Sequence, residues 1–286
     1  MQVAMKRNVI RRKTIEPKSG ADHDADCRDG GVQSVDRALS IIETLAEDDE
    51  GYRLSDLAVR TGLSTSTVHR LLATLESRRF VQFDRAESKW HVGARSFTVG
   101  ATFARRRNFT AQAVPYLRKL RDLTRETANL AVVDDEFIVV LTRVESREIM
   151  RSLTKLGGRV AMVASGVGKA VLATYADEDV NAIIRHHGMP RLTEKSIVRP
   201  GELFKELAKV RRQGFAVDDE EASMGLRCIA SVVYNDCGEP LAAISVSGLT
   251  SRLTDDRLGS LGETVREVAA ELTIALGGVM PEAKSG

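Results

Sequence analysis

RLSDLAVRTGLSTSTVHRLLATLESRRFVQF, from Arg53 to Phe83, is the stretch that decides the N-terminal architecture of this chain. Leu54, Leu57 and Ala58 recur at helical spacing, and Thr61 with Gly62 closes that short helix by supplying a residue that tolerates a left-handed backbone. Leu63 is placed to cover a crevice between two helices. Ser64 is an N-cap whose oxygen can accept a backbone donor from Ser66 or Thr67. In the second helix Val68, Leu71, Leu72 and Leu75 form the buried stripe, so Thr65, Ser66, Thr67, His69 and Arg70 lie at or around the opposite, N-terminal side. That is the end a major groove of double-stranded DNA would receive. Small hydroxyls permit close approach, Arg70 offers a forked donor, and the helix N-terminus favours phosphate. Taken alone, the stretch also fits an ordinary helical hairpin with a solvated polar face.

The flanks favour the DNA reader. Upstream, SVDRALSIIETL (Ser34 to Leu45) predicts an amphipathic helix with Val35, Leu39, Ile42 and Leu45 sealing a small core, and Ala38 and Ile41 beside them. Downstream, Val81 to Phe83 and Trp90 to Val92 flank the polar DRAESK turn, which suits a two-stranded wing. Arg85 and Lys89 sit in or beside that turn, within reach of a phosphate or minor groove, although each also reads as a solvated charge. Trp90 reads as a core or hinge anchor. From Ser64 to Arg95 six cations face three acids, whereas the whole chain carries only +2. A modest local excess suits a selective, salt-sensitive binder rather than a general polycation.

The length of 286 residues leaves room for a second domain with its own core. Cys27, Cys228 and Cys237 make no metal-ligand spacing and no disulfide framework, and no apolar run resembles a membrane span or a signal sequence. A reducing cytoplasm and no membrane partner are expected. The first 30 residues, with Arg11, Arg12 and Lys13, read as a flexible tail. Helices are expected at Val114 to Leu123, Gly168 to Thr174, Glu178 to His186, Glu202 to Arg212 and Asp255 to Leu276. Strands are expected at Asn129 to Val133, Phe137 to Thr142, Met150 to Leu153, Cys228 to Tyr234 and Leu241 to Ser247, giving a mixed α/β domain with a curved antiparallel sheet. GGRVAMVASGVG has the glycines of a phosphate loop, but Gly168 and Lys169 are followed by Ala170 rather than Ser or Thr, so no nucleotide is assigned. His186 and His187 are adjacent, which directs them apart on a helix, and neither that pair nor His23, His69 and His91 reads as a metal site. No metal or other cofactor is expected.

Ser245 and Ser247 are two apart and can share one face of a strand, where paired hydroxyls and backbone amides suit a small carboxylate. The bland reading is that they satisfy neighbouring backbone. Cys228 reads equally as a packed small hydrophobe, and Asp218, in the run DDEE, as part of a solvated turn. Between the domains, Phe97, Val99, Phe103 and Phe109 give a linker an apolar stripe that either meets a second copy or packs back on the winged domain.

LSDLAVRTGLSTSTVHRLLATLE, the LGGRVAMVASGVGKAVLA stretch beginning at Leu156, and GFAVDDEEASMGLRCIASVVYNDCGEPLAAISVSGL from Gly214 to Leu249 together resemble the isocitrate lyase regulator family, IclR. The resemblance implies a two-domain α+β fold: a flexible tail over 1–30, a winged helix-turn-helix over 31–93, a linker helix over 94–108 and an effector-binding domain over 109–281. It also implies a homodimer, with assembly to a tetramer, reading operator DNA under the control of a small organic acid such as glyoxylate, pyruvate or a related keto or hydroxy acid. The GGRVAMVASG loop would close one side of the effector cavity, with Gly158, Ala161 and Met162 nearby. Asp218 and Cys228 match polar cavity positions, and Ser245 and Ser247 occupy the equivalent strand. Transcriptional repression of a catabolic operon is the function expected, with activation as the alternative. A small-acid enzyme is the competing class, but no ordered base, nucleophile and oxyanion device emerges.

Overall fold

The computed structural model of the chain describes residues 32–106, 109–146 and 156–281. The strand expected at Met150 to Leu153 and the tail, with its basic cluster, His23 and Cys27, lie outside the described residues. The chain divides into two compact units at the Arg95–Ser96 bond.

In the first unit α1 (Gln33–Ala46), α2 (Leu54–Thr61) and α3 (Thr65–Ser77) are followed by an antiparallel hairpin of β1 (Val81–Asp84) and β2 (Lys89–Val92). Gly62 caps α2 with φ 66°, a left-handed conformation that an L side chain would resist, and turns the chain into α3. The core joins Ile41, Leu45, Leu57, Val68, Leu72, Val81 and Trp90, with Leu54, Ala58, Leu63, Leu71 and Leu75 packed against it. Trp90 is fixed further by paired backbone hydrogen bonds with Tyr52, at 3.1 and 2.8 Å, an isolated bridge beside the two-stranded wing. Helix α1 departs from the expected stripe. Val35 and Leu39 are each 54% exposed, while Ile41 is fully buried, because only the C-terminal half of α1 reaches the small core.

Helix α4 (Ala94–Arg106) follows the wing. Phe97 is 79% and Val99 53% exposed; the Phe103 side chain lies outside the described residues. Phe109 does not continue their stripe. It is buried in the core of the second unit.

The second unit runs α5 (Phe109–Thr124), β3 (Thr127–Asp134), β4 (Phe137–Val144), β5 (Arg159–Ala161), α6 (Gly166–Leu172), α7 (Asp177–His187), α8 (Pro200–Gln213), β6 (Ala216–Asp219), β7 (Leu226–Tyr234), β8 (Pro240–Leu249) and α9 (Asp255–Ala275). The strands form one antiparallel sheet in the order β5-β4-β3-β8-β7-β6, with a register shift at Leu130/Ala131 of the kind that bends a sheet. Successive strand residues point to opposite faces, so each strand serves two layers. Leu130, Ile229, Ile244 and Val246 face a core shared with α5 and α9. Ala131, Ile138, Ala230 and Ala243 face a second core shared with α6, α7 and α8. The short strands β5 and β6 escape the sequence reading. DDEE is not a solvated turn, for Asp218 lies in β6 and both it and Glu221 are buried.

Candidate functional site

The first site is the exposed end of α3. Ser64 caps the helix as its spacing predicts, its oxygen accepting from the Thr67 N–H at 3.3 Å. The same hydroxyl lies 3.1 Å from Ser66 Oγ and 2.8 Å from Thr67 Oγ1, gathering three hydroxyls at the helix start. Thr65, Ser66, His69 and Arg70 are exposed, and the three- and four-residue steps among them place all four on one side of the helix. Val68 and Leu72 hold the opposite side in the core. This surface combines hydroxyls, amide donors and a guanidinium without an acidic residue in the first turn. On the wing, Asp84 Oδ1 accepts from the backbone N–H of Ala86 at 2.7 Å and of Glu87 at 3.2 Å, which fixes the turn bearing exposed Arg85. Lys89 is half-buried and paired with Glu87 at 3.2 Å, so a phosphate contact by Lys89 must exchange that partner.

The second site is a cavity of about 260 Å³ against the α6 face of the sheet. Its polar residues include Asn129 from β3, Cys228 from β7, and Ser245 and Ser247 from β8; Ala131, Ile138, Val140 and Val160 supply apolar wall. Register explains the convergence. Asn129 pairs with Ser245 across β3–β8, and Cys228 with Ser247 across β7–β8. Asn129 Nδ2 donates to Ser245 Oγ at 3.4 Å and to Ser247 Oγ at 3.3 Å. Burial and then the Asp218 charge push the Cys228 thiol up to about 11, against the hydrogen bonds of Ser247 and Ser245, so it stays a neutral thiol rather than a nucleophile. Arg227 also lines the cavity, but its guanidinium is spent on Asp219 at 2.6 Å, the Leu253 carbonyl at 2.6 Å and Asp255 at 2.5 Å. The remaining polar wall is made of neutral groups, among the described residues.

Cys228, Ser245 and Ser247 therefore meet at the cavity, while Gly158, Ala161, Met162 and Asp218 lie outside its lining. Ala161 closes β5 opposite Phe137, and Met162 is packed in the α6-side core. From this segment it is Val160, Ser165 and Val167 that line the cavity instead. Asn129 carried a weak signal, a polar residue two before Ala131 in a strand. Its importance depends on pairing with β8 across more than a hundred residues, which spacing does not reveal.

Asp218 supports the site from behind. Its Oδ1 accepts from the N–H of Glu221 at 2.7 Å and of Ala222 at 3.3 Å, and Ala222 is a cavity liner. Burial, reinforced by the charge of Glu221, raises its carboxyl from 3.8 to about 6. Between those values the folded state binds the extra proton, so stability falls as pH rises through this window and the penalty is complete above it. Asp218→Asn keeps an acceptor for both amides and removes the charge. Urea unfolding is expected to show a gain of about 1–2 kcal/mol near pH 8 that shrinks toward pH 5; an equal effect at both pH values would refute this account of Asp218.

A helix with an exposed polar reading face and a partly open cavity of small-molecule size in one chain fit the class of ligand-responsive DNA-binding regulators. Residues 34–85 match the IclR helix-turn-helix domain, and residues 101–274 the C-terminal domain of IclR bacterial transcriptional regulators. The chain is 41% identical over 251 residues to the acetate operon repressor of Salmonella typhimurium, covering 87% of this chain and 92% of that protein. It is 40% identical over 252 residues to the transcriptional repressor IclR of Escherichia coli, with coverage of 87% and 92%. The crystal structure of an IclR transcriptional regulator from Alicyclobacillus acidocaldarius has the same fold, with a TM-score of 0.74 at 24% identity over 87% of this chain and all of that one. This chain belongs to the IclR family of transcriptional regulators. No helix among the described residues is long and apolar enough to cross a membrane.

Proposed function

We propose that this regulator is a cytoplasmic homodimeric repressor of a catabolic operon, whose affinity for operator DNA is set by a small organic acid. The reading head spans 31–93, the linker helix 94–108 and the sensor 109–281. The observation that carries the effector reading is the meeting of Asn129, Ser245 and Ser247 beside a neutral thiol and an apolar wall. Hydroxyl and amide donors suit the carboxylate of glyoxylate, pyruvate or a related acid, while the apolar wall covers its carbon end. Gly158, Ala161, Met162 and Asp218 act from outside the lining, positioning the loop and strands that form it. Repression is supported by the names of two relatives, both repressors. Exposed Phe97 and Val99 offer a dimer an apolar surface, and a dimer presents paired α3 helices, with Ser64 to Arg70, to a palindromic site. Arg85 and, after exchange of its partner, Lys89 add contacts from the wing. An acid that binds one conformation preferentially by about 1.4 kcal/mol changes operator affinity tenfold.

One paired experiment tests the division of labour. Arg70→Ala is expected to weaken operator binding about tenfold or more, equivalent to 1–3 kcal/mol for a base contact, and to leave titration calorimetry with the acids unchanged. Ser245→Ala combined with Ser247→Ala is expected to abolish the acid response while basal operator affinity persists. Wild-type operator affinity in Arg70→Ala removes that side chain from the reading surface. Unchanged acid affinity in the double variant makes the hydroxyls structural.

A further inference from the structure

Away from the cavity, the β3–β4 hairpin meets the C-terminal end of α7. Glu136, which follows Asp135 in the hairpin turn, places Oε2 2.7 Å from His186 Nδ1 and directly against His187 Nε2. Adjacent helical residues ordinarily diverge by about 100°. Here both rings belong to the last turn, before α7 ends at Gly188, and both bend to the same oxygen, with ring centroids 4.5 Å apart. The sequence expectation of divergent histidines is thus corrected. Phe137 holds the His187 ring edge-on at 4.9 Å, and the Arg159 guanidinium stacks on Phe137 at 4.3 Å.

Hydrogen bonding leaves this cluster incomplete. His187 Nε2 is shut off from solvent and makes no directed hydrogen bond among the described residues, although the carboxylate oxygen touches it. A buried ring nitrogen pressed against a carboxylate oxygen without a directed hydrogen bond is poorly satisfied, and an ion between nitrogen and oxygen satisfies both. One ligand atom from each of the three residues lies within 4.8 Å of the others. Tetrahedral ligands at zinc's usual bond lengths sit roughly 3.3 Å apart, so a small rotation of Glu136 opens the required space.

We propose that Glu136, His186 and His187 form a binding site for a divalent transition-metal ion, with zinc as the best fit. Two imidazole nitrogens and one carboxylate oxygen make a borderline donor set, unlike the all-oxygen shells of calcium and magnesium. Three protein ligands leave a fourth position for water. The C-terminal end of α7 carries partial negative charge that favours a cation, and Asp134 and Asp135 keep the hairpin tip acidic. The ion clamps the hairpin to α7 two residues before Ile138, a cavity liner.

Full-length protein stripped with chelator and dialysed is titrated with Zn(II) by calorimetry and with Co(II) by absorption. One equivalent bound in the folded unit is expected, with a rise in melting temperature and cobalt bands of nitrogen and oxygen ligation. Exposed His186→Ala and near-isosteric Glu136→Gln should each weaken Zn(II) binding at least about tenfold, while His23→Ala with Cys27→Ala should leave it intact. Stoichiometric binding that survives His186→Ala and Glu136→Gln, or that disappears with the His23/Cys27 pair, overturns the proposal. So does the absence of stoichiometric binding, which leaves a carboxylate–imidazole cluster only.

Discussion

Gly168→Ala is expected to destabilise the sensor unit by roughly 4 kcal/mol, beyond the usual cost of one added core methyl, because the clash is with backbone. A Cβ at Gly168 would stand 2.0 Å from the Met162 carbonyl oxygen and 2.4 Å from Met162 Cα. Neither atom is the end of a flexible side chain. Relief requires moving the turn at Met162–Ala164 or α6 itself, yet the Gly168 N–H is held by Ser165 Oγ at 3.0 Å and Ser165 lines the cavity. The control is the same substitution at Gly259, exposed within α9 and with nothing within 4 Å of its added Cβ. There alanine should gain up to about 1 kcal/mol from helix propensity. Urea denaturation of the two variants should move in opposite directions; a Gly168→Ala midpoint near wild type would mean that the contact with Met162 is not tight.

Lys169→Met should cost about 3–5 kcal/mol, the range for breaking one side of a buried ion pair. Lys169 is fully buried, donates to the Val217 carbonyl at 2.6 Å and is paired with Glu221. Removing the ammonium leaves two buried acids, Glu221 and Asp218, repelling each other. Burial already raises the Glu221 carboxyl while Lys169 pulls it down. Without the lysine, Glu221 should rise further and hold its proton to higher pH, so the loss grows as pH increases. Lys169→Met with Glu221→Leu should recover most of the loss, since replacing a whole buried pair by apolar groups is often neutral. Thermal melts of the single and double variants across pH check this. A single variant as stable as wild type would show that water reaches Glu221 and that the pair is not buried in solution.

The lysine shows where sequence reading stops. In GVGKA, Lys169 is noticed only for the missing Ser or Thr of a phosphate loop, which says nothing of where the ammonium goes. Its partner is 52 residues away across β6. The two halves of the reading head were easier. The α2 and α3 stripes, Gly62 and the Ser64 cap depend on neighbours within a few residues, and helical spacing places such neighbours directly. For α1 the same spacing misled, because an amphipathic stripe shows which side is apolar without showing how far along it a small core extends. Val35 and Leu39 belong to the stripe and remain outside the core.

The sequence by itself determined the reading helix, its wing, the major strands of an antiparallel sheet and the family, because these rest on local periodicity, turn chemistry and extended motifs. Ser245 and Ser247 were on one face from their spacing of two. Only the tertiary structure decided what that face contains. Strand register brings Asn129 and Cys228 to the serines, burial puts Asp218 and Lys169 behind the wall, and a hairpin turn carries Glu136 to two histidines that helical geometry alone would send apart. Such pairings depend on how distant segments align, and a shift of one residue turns each strand's side chains to the other layer.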